Sequence, residues 1–219
     1  MSGLRIFSVE GNIGSGKSTL LKYLTNHLTI GDEKIIFLQE PVDAWSEIND
    51  EKGGTILEKF YKDQKRYAFS FQMMAYISRL ALLKQHVEEN PNSIIITERS
   101  LYTDRYVFAK MLFDSKNIEL VEYKIYLTWF DTFAKDFPIH KIIYMKTDPP
   151  TCQYRIVRRS RTGENAIALD YLTRCGKYHD LMIENNYIDN QVLVLDGNEE
   201  FLDQINDWVK KITTFIVEE

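Results

Sequence analysis

The segment from Gly11 to Ser18 constrains the fold of this chain more than any other. It reads GNIGSGKS, which matches the pattern G-x-x-x-x-G-K-[ST]; it follows the apolar run 4–9 and precedes a segment of helical periodicity. Its glycines let the backbone curl so that N–H groups converge on an anion, and the helix that follows adds the positive end of its dipole. We therefore predict a strand–loop–helix unit that binds the phosphates of a nucleotide.

Two side chains of this loop have predicted roles of their own. Lys17 is expected to reach the β- and γ-phosphates of ATP, and Ser18 to hold the accompanying Mg²⁺. The alternative is an ordinary glycine-rich turn, but the spacing and the context both favour nucleotide binding. The whole predicted phosphate site comprises Gly11, Asn12, Ile13, Gly14, Ser15, Gly16, Lys17, Ser18 and Thr19.

Short apolar runs alternate with longer helical segments along the rest of the chain. The predicted strands are 4–9, 34–38, 93–97, 141–145 and 192–195. The predicted helices are 18–28, 55–89 with a break near 62–63, 101–113, 120–135, 150–159, 169–185 and 200–212. This alternation is typical of an α/β fold in which a five-stranded parallel sheet is flanked by helices. Because no repeat or linker divides the chain, we predict a single domain over residues 1–219.

Composition narrows the class of protein. The 219 residues are 44% hydrophobic, which excludes a disordered chain, and no apolar run approaches the roughly 18 residues of a membrane span. A net charge of −5 argues against nucleic acid or an anionic membrane as a partner. The opening residues leave no room for a targeting peptide, and Cys152 and Cys175 cannot make a disulfide framework. We therefore expect a cytoplasmic protein.

Polar side chains at the ends of the second and third strands form a candidate acceptor site. Ligands of a parallel sheet lie beyond the carboxyl ends of its strands, so Glu40 and the Glu98-Arg99-Ser100 triplet should face the phosphate loop. Glu40 could accept a proton from an attacking hydroxyl, although a solvated turn glutamate is an equally good reading. Glu98 suits a role at magnesium, and Arg99 could orient Glu40; the alternative is a structural Glu–Arg ion pair.

The predicted helix over 63–89 has polar residues on one face. Gln72, Ala75 and Arg79 lie at i, i+3 and i+7. A glutamine can present a donor and an acceptor to the edge of a base, and Arg79 with Asp104 could complete a charged hydrogen-bonding wall. An amphipathic helix with some polar surface would explain Gln72 alone. Surfaces on which a base could stack are offered by Tyr61, Phe71 and Phe108.

A cluster of arginines lies near residue 160. Arg155, Arg158, Arg159 and Arg161 lie on adjoining faces of a predicted helix that opens into a glycine-bearing loop. This arrangement predicts a lid, at about residues 155–166, that closes over transferring phosphates. A solvated basic face is the alternative; the acidic composition and the phosphate loop favour the lid.

Together these motifs resemble the deoxyribonucleoside kinase family, in particular its deoxycytidine/deoxyguanosine kinase branch. GNIGSGKST, EPVDAW, the F-x-FQ…SR helix, ERS-x-Y-x-DRY-x-FA and the R-x₂-RR-x-R…E lid occur in the order and approximate spacing of that family, over nearly the whole chain. The resemblance implies a three-layer P-loop kinase fold with an arginine-rich lid. It also implies transfer of the γ-phosphate of ATP to the 5′-hydroxyl of a deoxyribonucleoside, in nucleotide salvage.

The resemblance further assigns roles to individual residues. Glu40 becomes the base that takes the 5′-hydroxyl proton, Arg99 its neighbour, and Glu98 the magnesium-associated acid. Tyr61 and Glu164 match the positions that hold the 3′-hydroxyl. The lid arginines would be Arg155, Arg159 and Arg161, whereas Arg158 replaces an apolar residue and receives no role. The implied nucleoside site is Glu40, Trp45, Leu57, Tyr61, Phe71, Gln72, Arg79, Arg99, Asp104, Phe108 and Glu164.

The resemblance leads to two finer expectations and leaves two alternatives. The Arg79–Asp104 pair favours deoxycytidine and purine deoxynucleosides over thymidine, and the aromatic segments 101–113 and 120–137 favour a homodimer. One alternative is a thymidylate-kinase-like nucleoside monophosphate kinase, which would need a cation beside Gln39-Glu40 for the acceptor phosphate. The other is a non-catalytic P-loop switch, which would need no base-reading helix.

Overall fold

A five-stranded sheet forms the centre of the computed structural model, which describes residues 3–161, 163–164, 167–186 and 191–218. All of its strand pairs are parallel, in the order β2-β3-β1-β4-β5. The strands are β1 (Arg5–Glu10), β2 (Ile35–Leu38), β3 (Ile94–Glu98), β4 (Lys141–Lys146) and β5 (Val192–Asp196). β3 lies inside the sheet, and its run of three isoleucines is wholly buried, as expected for a strand covered on both faces. The predicted α/β fold is confirmed.

Helices cover both faces of this sheet. They are α1 (Lys17–His27), α2 (Val42–Ser46), α3 (Ile56–Lys62), α4 (Gln64–Glu89), α5 (Leu101–Thr103), α6 (Lys110–Asp114), α7 (Leu120–Phe133), α8 (Pro149–Arg159), α9 (Leu169–Asn186) and α10 (Phe201–Val217). The predicted break falls at Asp63, which ends α3 and caps α4 by accepting the backbone N–H of Arg66.

Two elements differ from the prediction. The segment predicted as one helix over 101–113 contains a π-helical stretch, Asp104–Ala109, between α5 and α6. The short helix α2 was not predicted, and it carries Trp45 into the protein interior. π-Helical stretches occur often at functional sites because they redirect side chains within a continuous helix.

The two faces of the sheet have separate apolar cores. On one face α1 and α10 pack Leu20, Leu24 and Trp208 against the strands. On the other face α4 and α7 contribute Tyr76 and Tyr126. The fold therefore has three layers, helix–sheet–helix.

The strand order decides where a site can form. Because β2, β3 and β1 are neighbours, the residues that follow their carboxyl ends converge at one edge of the sheet. None of the described helices is long and apolar enough to cross a membrane.

Candidate active site

A cavity of about 490 Å³ lies at the carboxyl ends of β1, β2 and β3. Most residues predicted for the donor and acceptor sites line it together: Ile13, Gly14, Gly16, Lys17, Ser18, Thr19, Glu40, Trp45, Leu57, Tyr61, Phe71, Gln72, Glu98, Arg99, Asp104, Phe108, Arg155, Arg159, Arg161 and Glu164. Four predicted residues lie behind this lining: Gly11, Asn12, Ser15 and Arg79. The fold thus brings the phosphate loop and the predicted acceptor residues to one cavity.

The phosphate loop is held in shape by close contacts with its surroundings. Gly14 has φ +78, and a Cβ atom there would lie 2.5 Å from the carbonyl oxygen of Cys152 in α8. Only glycine fits both this backbone conformation and this approach. Asn12 fixes the loop from behind, because its Nδ2 donates to the carbonyl of Leu172 at 2.8 Å.

Lys17 is the buried cation of the loop. Its Nζ donates to the carbonyl oxygen of Asn12 at 2.6 Å and lies 3.4 Å from Oγ of Ser15. Burial lowers the pKa of Lys17 to about 7, and the nearby Arg99 acts in the same direction. A phosphate beside this ammonium would oppose both effects and favour the charged form.

Ser18 and Glu98 approach each other at the start of α1. The hydroxyl of Ser18 donates to Oε1 of Glu98 at 2.6 Å, and both side chains line the cavity. A hydroxyl and a carboxylate are hard oxygen ligands of the kind that suits Mg²⁺. The donor set therefore fits the magnesium role predicted for these two residues.

Glu40 follows β2 and is held by two buried arginines. Its Oε1 accepts from Nη2 of Arg79 at 2.7 Å and lies 3.4 Å from Nε of Arg99. Burial alone would raise the pKa of Glu40, but the charges of Arg99 and Arg79 outweigh burial and hold that pKa below its usual value. The other oxygen, Oε2, accepts no hydrogen bond from any described residue. Glu40 is therefore a carboxylate with one fixed and one available oxygen.

Arg79 was predicted to face the base, but the structure places it behind the cavity wall. Its Nε donates to Oδ2 of Asp104 at 2.9 Å, its Nη1 to the carbonyl of Glu98 at 2.8 Å, and its Nη2 to Glu40. The guanidinium is thus committed to protein partners, and only Asp104 of the pair lines the cavity. Burial raises the pKa of Asp104 to about 6, although the charge of Arg79 opposes the rise.

Gln72 presents an unpaired amide at the cavity. Its side chain is 2% exposed, and its Oε1 has no hydrogen-bond partner among the described residues. A buried polar atom without a partner costs free energy unless a ligand satisfies it. Around it, Phe71 stacks on Phe60 at 4.6 Å and meets Trp45 edge-on at 5.7 Å, which gives the cavity flat apolar walls.

The predicted lid arginines have two sets of partners. Nε of Arg159 donates to Glu164 at 2.9 Å, and Nη1 of Arg161 donates to the same carboxylate at 3.2 Å. Arg155 instead donates to the carbonyl of Gly197 at 2.7 Å, beside the phosphate loop. Positions 162, 165 and 166 of the predicted lid lie outside the described residues.

Some lining residues were not predicted. Arg158, which belongs to the predicted arginine cluster but received no role from the resemblance, lines the cavity and has no ion-pair partner in the described part of the chain. The others are apolar or aromatic side chains that no sequence signal distinguishes from core: Val42, Phe60, Ala75 and Tyr171.

The amino-acid sequence matches one family of known proteins over most of its length. The sequence profile of the family described as deoxynucleoside kinase matches residues 7–217. The chain is 36% identical to a probable deoxycytidine kinase of fowlpox virus, over 91% of the chain and 81% of that protein. It is 32% identical to deoxycytidine kinase of Homo sapiens, over 98% and 92% of the two chains. It is 34% identical to deoxycytidine kinase 2 of Gallus gallus, over 95% and 86%.

The chain therefore belongs to the deoxynucleoside kinase family. It is a nucleoside kinase, a phosphotransferase for which ATP is the implied phosphate donor. The family resemblance and the enzyme class predicted from the sequence are confirmed.

Proposed function

We propose that this kinase transfers the γ-phosphate of ATP to the 5′-hydroxyl of deoxycytidine or a purine deoxynucleoside, in preference to thymidine, in nucleotide salvage. The observation that carries this preference is that Gln72 and Asp104 line the same cavity. Asp104 supplies carboxylate acceptors for an exocyclic amino group, and Gln72 has an unpaired amide for the adjacent base edge. Cytosine and adenine carry an amino group where thymine carries a carbonyl oxygen. The relatives named deoxycytidine kinase point the same way.

Glu40 is the residue that would receive the proton of the attacking hydroxyl. The arginines keep Glu40 ionised at neutral pH and fix Oε1, so Oε2 is the oxygen left to accept the 5′-hydroxyl. A carboxylate of low pKa orients the hydroxyl and takes its proton as the new bond to phosphorus forms, as in other phosphoryl transfers with a loose transition state.

Cations of the phosphate loop and of the predicted lid would stabilise the charge that spreads over the equatorial oxygens. Lys17 belongs to the phosphate loop, and Arg155 is held beside that loop by Gly197. Arg159 and Arg161 would exchange part of their contact with Glu164 for the transferring phosphoryl group. Donors aimed at the place where charge develops in the transition state are a large source of catalytic stabilisation.

Ser18 and Glu98 would hold Mg²⁺. Bound there, the ion would neutralise part of the charge of the phosphate chain. Ser18 would contribute its hydroxyl oxygen, and Glu98 would act directly or through water. When the ion is absent, these two side chains satisfy each other.

The deoxyribose is assigned to the lid side of the cavity. Tyr61 and Glu164 both line the cavity, and burial with the charge of Glu164 raises the pKa of Tyr61, which keeps the phenol protonated as a donor. Glu164 would accept a hydrogen bond from the 3′-hydroxyl while it remains paired with Arg159.

Three further features complete the proposal. The kinase domain spans residues 1–219, which is supported by one sheet that joins elements from Arg5 to Asp196. The protein is cytoplasmic, which is supported by two buried free thiols, Cys152 and Cys175. It forms a homodimer, which is supported by apolar side chains that α7 exposes at steps of four residues: Val121, Ile125, Trp129 and Phe133.

The deciding experiment is the transfer of labelled γ-phosphate from ATP and Mg²⁺ to each of the four deoxynucleosides and to deoxythymidine monophosphate. We expect kcat/KM for deoxycytidine or a purine deoxynucleoside to exceed that for thymidine. Phosphorylation of the monophosphate alone would instead support a thymidylate-kinase-like activity. Binding of ATP without transfer to any of the five would support a nucleotide switch.

A further inference from the structure

His179 of α9 is a buried titratable side chain outside the cavity lining. Its Nδ1 lies 2.8 Å from the carbonyl oxygen of Cys175, one turn earlier in the helix. Since that oxygen can only accept, Nδ1 carries the proton and Nε2 has its lone pair free. Nε2 lies 3.4 Å from Nη1 of Arg99. The imidazole therefore presents an acceptor to the arginine that neighbours Glu40.

Packing fixes the orientation of this imidazole. The ring meets Phe108 edge-on at 6.1 Å and stacks on Tyr144 at 6.4 Å. Burial lowers the pKa of His179 well below its usual value, and the charge of Arg99 acts in the same direction, so the ring stays neutral. A neutral ring with this fixed tautomer keeps Nε2 as a hydrogen-bond acceptor at neutral pH.

Arg99 has an unusual backbone conformation and several side-chain contacts. It has φ +64, in the left-handed region that favours glycine. Its Nη1 also donates to the carbonyl of Gly11 at 3.0 Å, and its guanidinium lies 4.9 Å from the centre of the Phe108 ring. From this position its Nε lies 3.4 Å from Oε1 of Glu40. The direction of the side chain is thus set by contacts on its far end.

We propose that His179 is a positioning residue for phosphoryl transfer, which holds Arg99 toward Glu40 by accepting from its Nη1. The inference rests on the proposed role of Glu40 as the acceptor of the 5′-hydroxyl proton. This contact links α9, which follows the lid in sequence, to Arg99, which directly follows β3. His179 acts only through Arg99 and touches no reacting atom.

The charges around Glu40 predict how the loss of this support would be observed. Three cations lower the pKa of Glu40: Arg79 in α4, Arg99 just after β3 and Lys17 in α1. The negative charge of Asp104 has the opposite effect on that pKa. If Arg99 moves away, its charge lowers the pKa of Glu40 by less, so that pKa rises. The acid limb of the kcat profile should then move to higher pH, because a larger fraction of Glu40 is protonated at a given pH.

Three substitutions and one control test the proposal. His179→Phe keeps an aromatic ring but removes the acceptor, and His179→Asn cannot reach as far as Nε2. His179→Gln places an amide oxygen near that position. Tyr144→Phe is the control, because it removes the hydroxyl that donates to Asp180 at 2.9 Å and leaves the stacked ring. Rates are measured at saturating ATP and nucleoside across pH.

We expect His179→Phe to lower kcat about 10- to 100-fold, with the KM for ATP within about twofold of wild type. Its acid limb should lie at higher pH, and His179→Gln should recover most of kcat and the wild-type limb. Tyr144→Phe should leave both unchanged. If His179→Phe does not fold, His179→Gln and His179→Asn are compared instead. A higher kcat and a wild-type acid limb in His179→Gln but not in His179→Asn would support the proposal.

Two results would overturn the proposal. One is a wild-type kcat and pH profile in His179→Phe, and the other is an equal loss in the Gln and Asn variants without a shift of the limb, which indicates a structural role alone. Failure of the proposed function has a different signature. An active Glu40→Gln variant would remove Glu40 from the mechanism, whereas an inactive one with a normal His179→Phe would remove only the positioning role.

Discussion

Nη2 of Arg79 donates to Oε1 of Glu40 at 2.7 Å, and the two side chains come from elements far apart in the sequence. The same guanidinium binds Asp104 at 2.9 Å. The proposed proton acceptor and the proposed base-reading carboxylate are therefore neighbours of one cation. This arrangement leads to predictions for each of them.

Glu40→Gln should lower kcat by about 10²- to 10⁴-fold, because an amide oxygen cannot take the hydroxyl proton. ATP binding should be unchanged within about twofold, since the phosphate loop is untouched. Steady-state kinetics and ATP titration measure the two effects. Glu47→Gln, at an exposed glutamate beyond α2, is the control and should behave as wild type. Normal turnover in Glu40→Gln would contradict the proposed role.

Asp104→Asn should shift the base preference toward thymidine. The amide that replaces the carboxylate can donate to O4 of thymine, and it is a poorer acceptor for the amino group of cytosine. We expect the ratio of kcat/KM for deoxycytidine to that for thymidine to fall by about tenfold or more. Competition between the two nucleosides in one reaction measures this ratio directly. An unchanged ratio would show that Asp104 does not read the base.

The same carboxyl predicts a pH dependence in the wild type. The pKa of Asp104 is raised to about 6, so above pH 6 it is an ionised acceptor and below pH 6 a growing fraction carries a proton. The protonated group can donate to a carbonyl oxygen and accepts less well. The preference for deoxycytidine over thymidine should therefore shrink as pH falls from 7 to 5. Asp104→Asn, which does not titrate, should show a constant ratio over that range.

Gly14→Ala should destabilise the chain more than Gly53→Ala. Both glycines have positive φ, +78 and +80, so both substitutions carry the same backbone cost of about 1–2 kcal/mol. Only at position 14 would the new Cβ meet other atoms, with the carbonyl of Cys152 at 2.5 Å; no heavy atom lies within 4 Å of it at position 53. We expect thermal unfolding to show a Tm several degrees lower for Gly14→Ala. Equal Tm values would contradict the close contact.

The proposed homodimer predicts a mass near twice 25.8 kDa in sedimentation analysis. Trp129→Lys places a charge among the exposed apolar residues of α7, where the side chain is 48% exposed, and should yield the monomer. Leu202→Lys alters a more exposed apolar residue, at 82%, on α10, and should leave the dimer intact. A wild type that sediments as a monomer would exclude the dimer.

Local patterns predicted most of the fold. The strands were recognisable because short β-branched runs such as Ile94–Ile96 are typical of buried strands. The phosphate loop was recognisable because its spacing rarely occurs by chance. The convergence of Glu40, Glu98 and Arg99 followed from the rule that ligands lie at the carboxyl ends of parallel strands.

Contacts between distant segments could not be predicted in the same way. Helical spacing placed Arg79 on the same face as Gln72, but it could not show that Arg79 binds protein partners behind the cavity. Those partners depend on how β2, β3 and the π-helical stretch approach that face. His179 lies on a helix after the lid, and nothing in its local sequence separates it from an ordinary core histidine. Such relationships are fixed by packing in three dimensions rather than by local sequence.

The close approach of Gly14 to Cys152 has a mechanical consequence. The phosphate loop lies directly against the backbone of α8, the helix that carries Arg155 and Arg159. A side chain at position 14 would therefore push the loop away from that helix and change the distance between the loop and the two arginines.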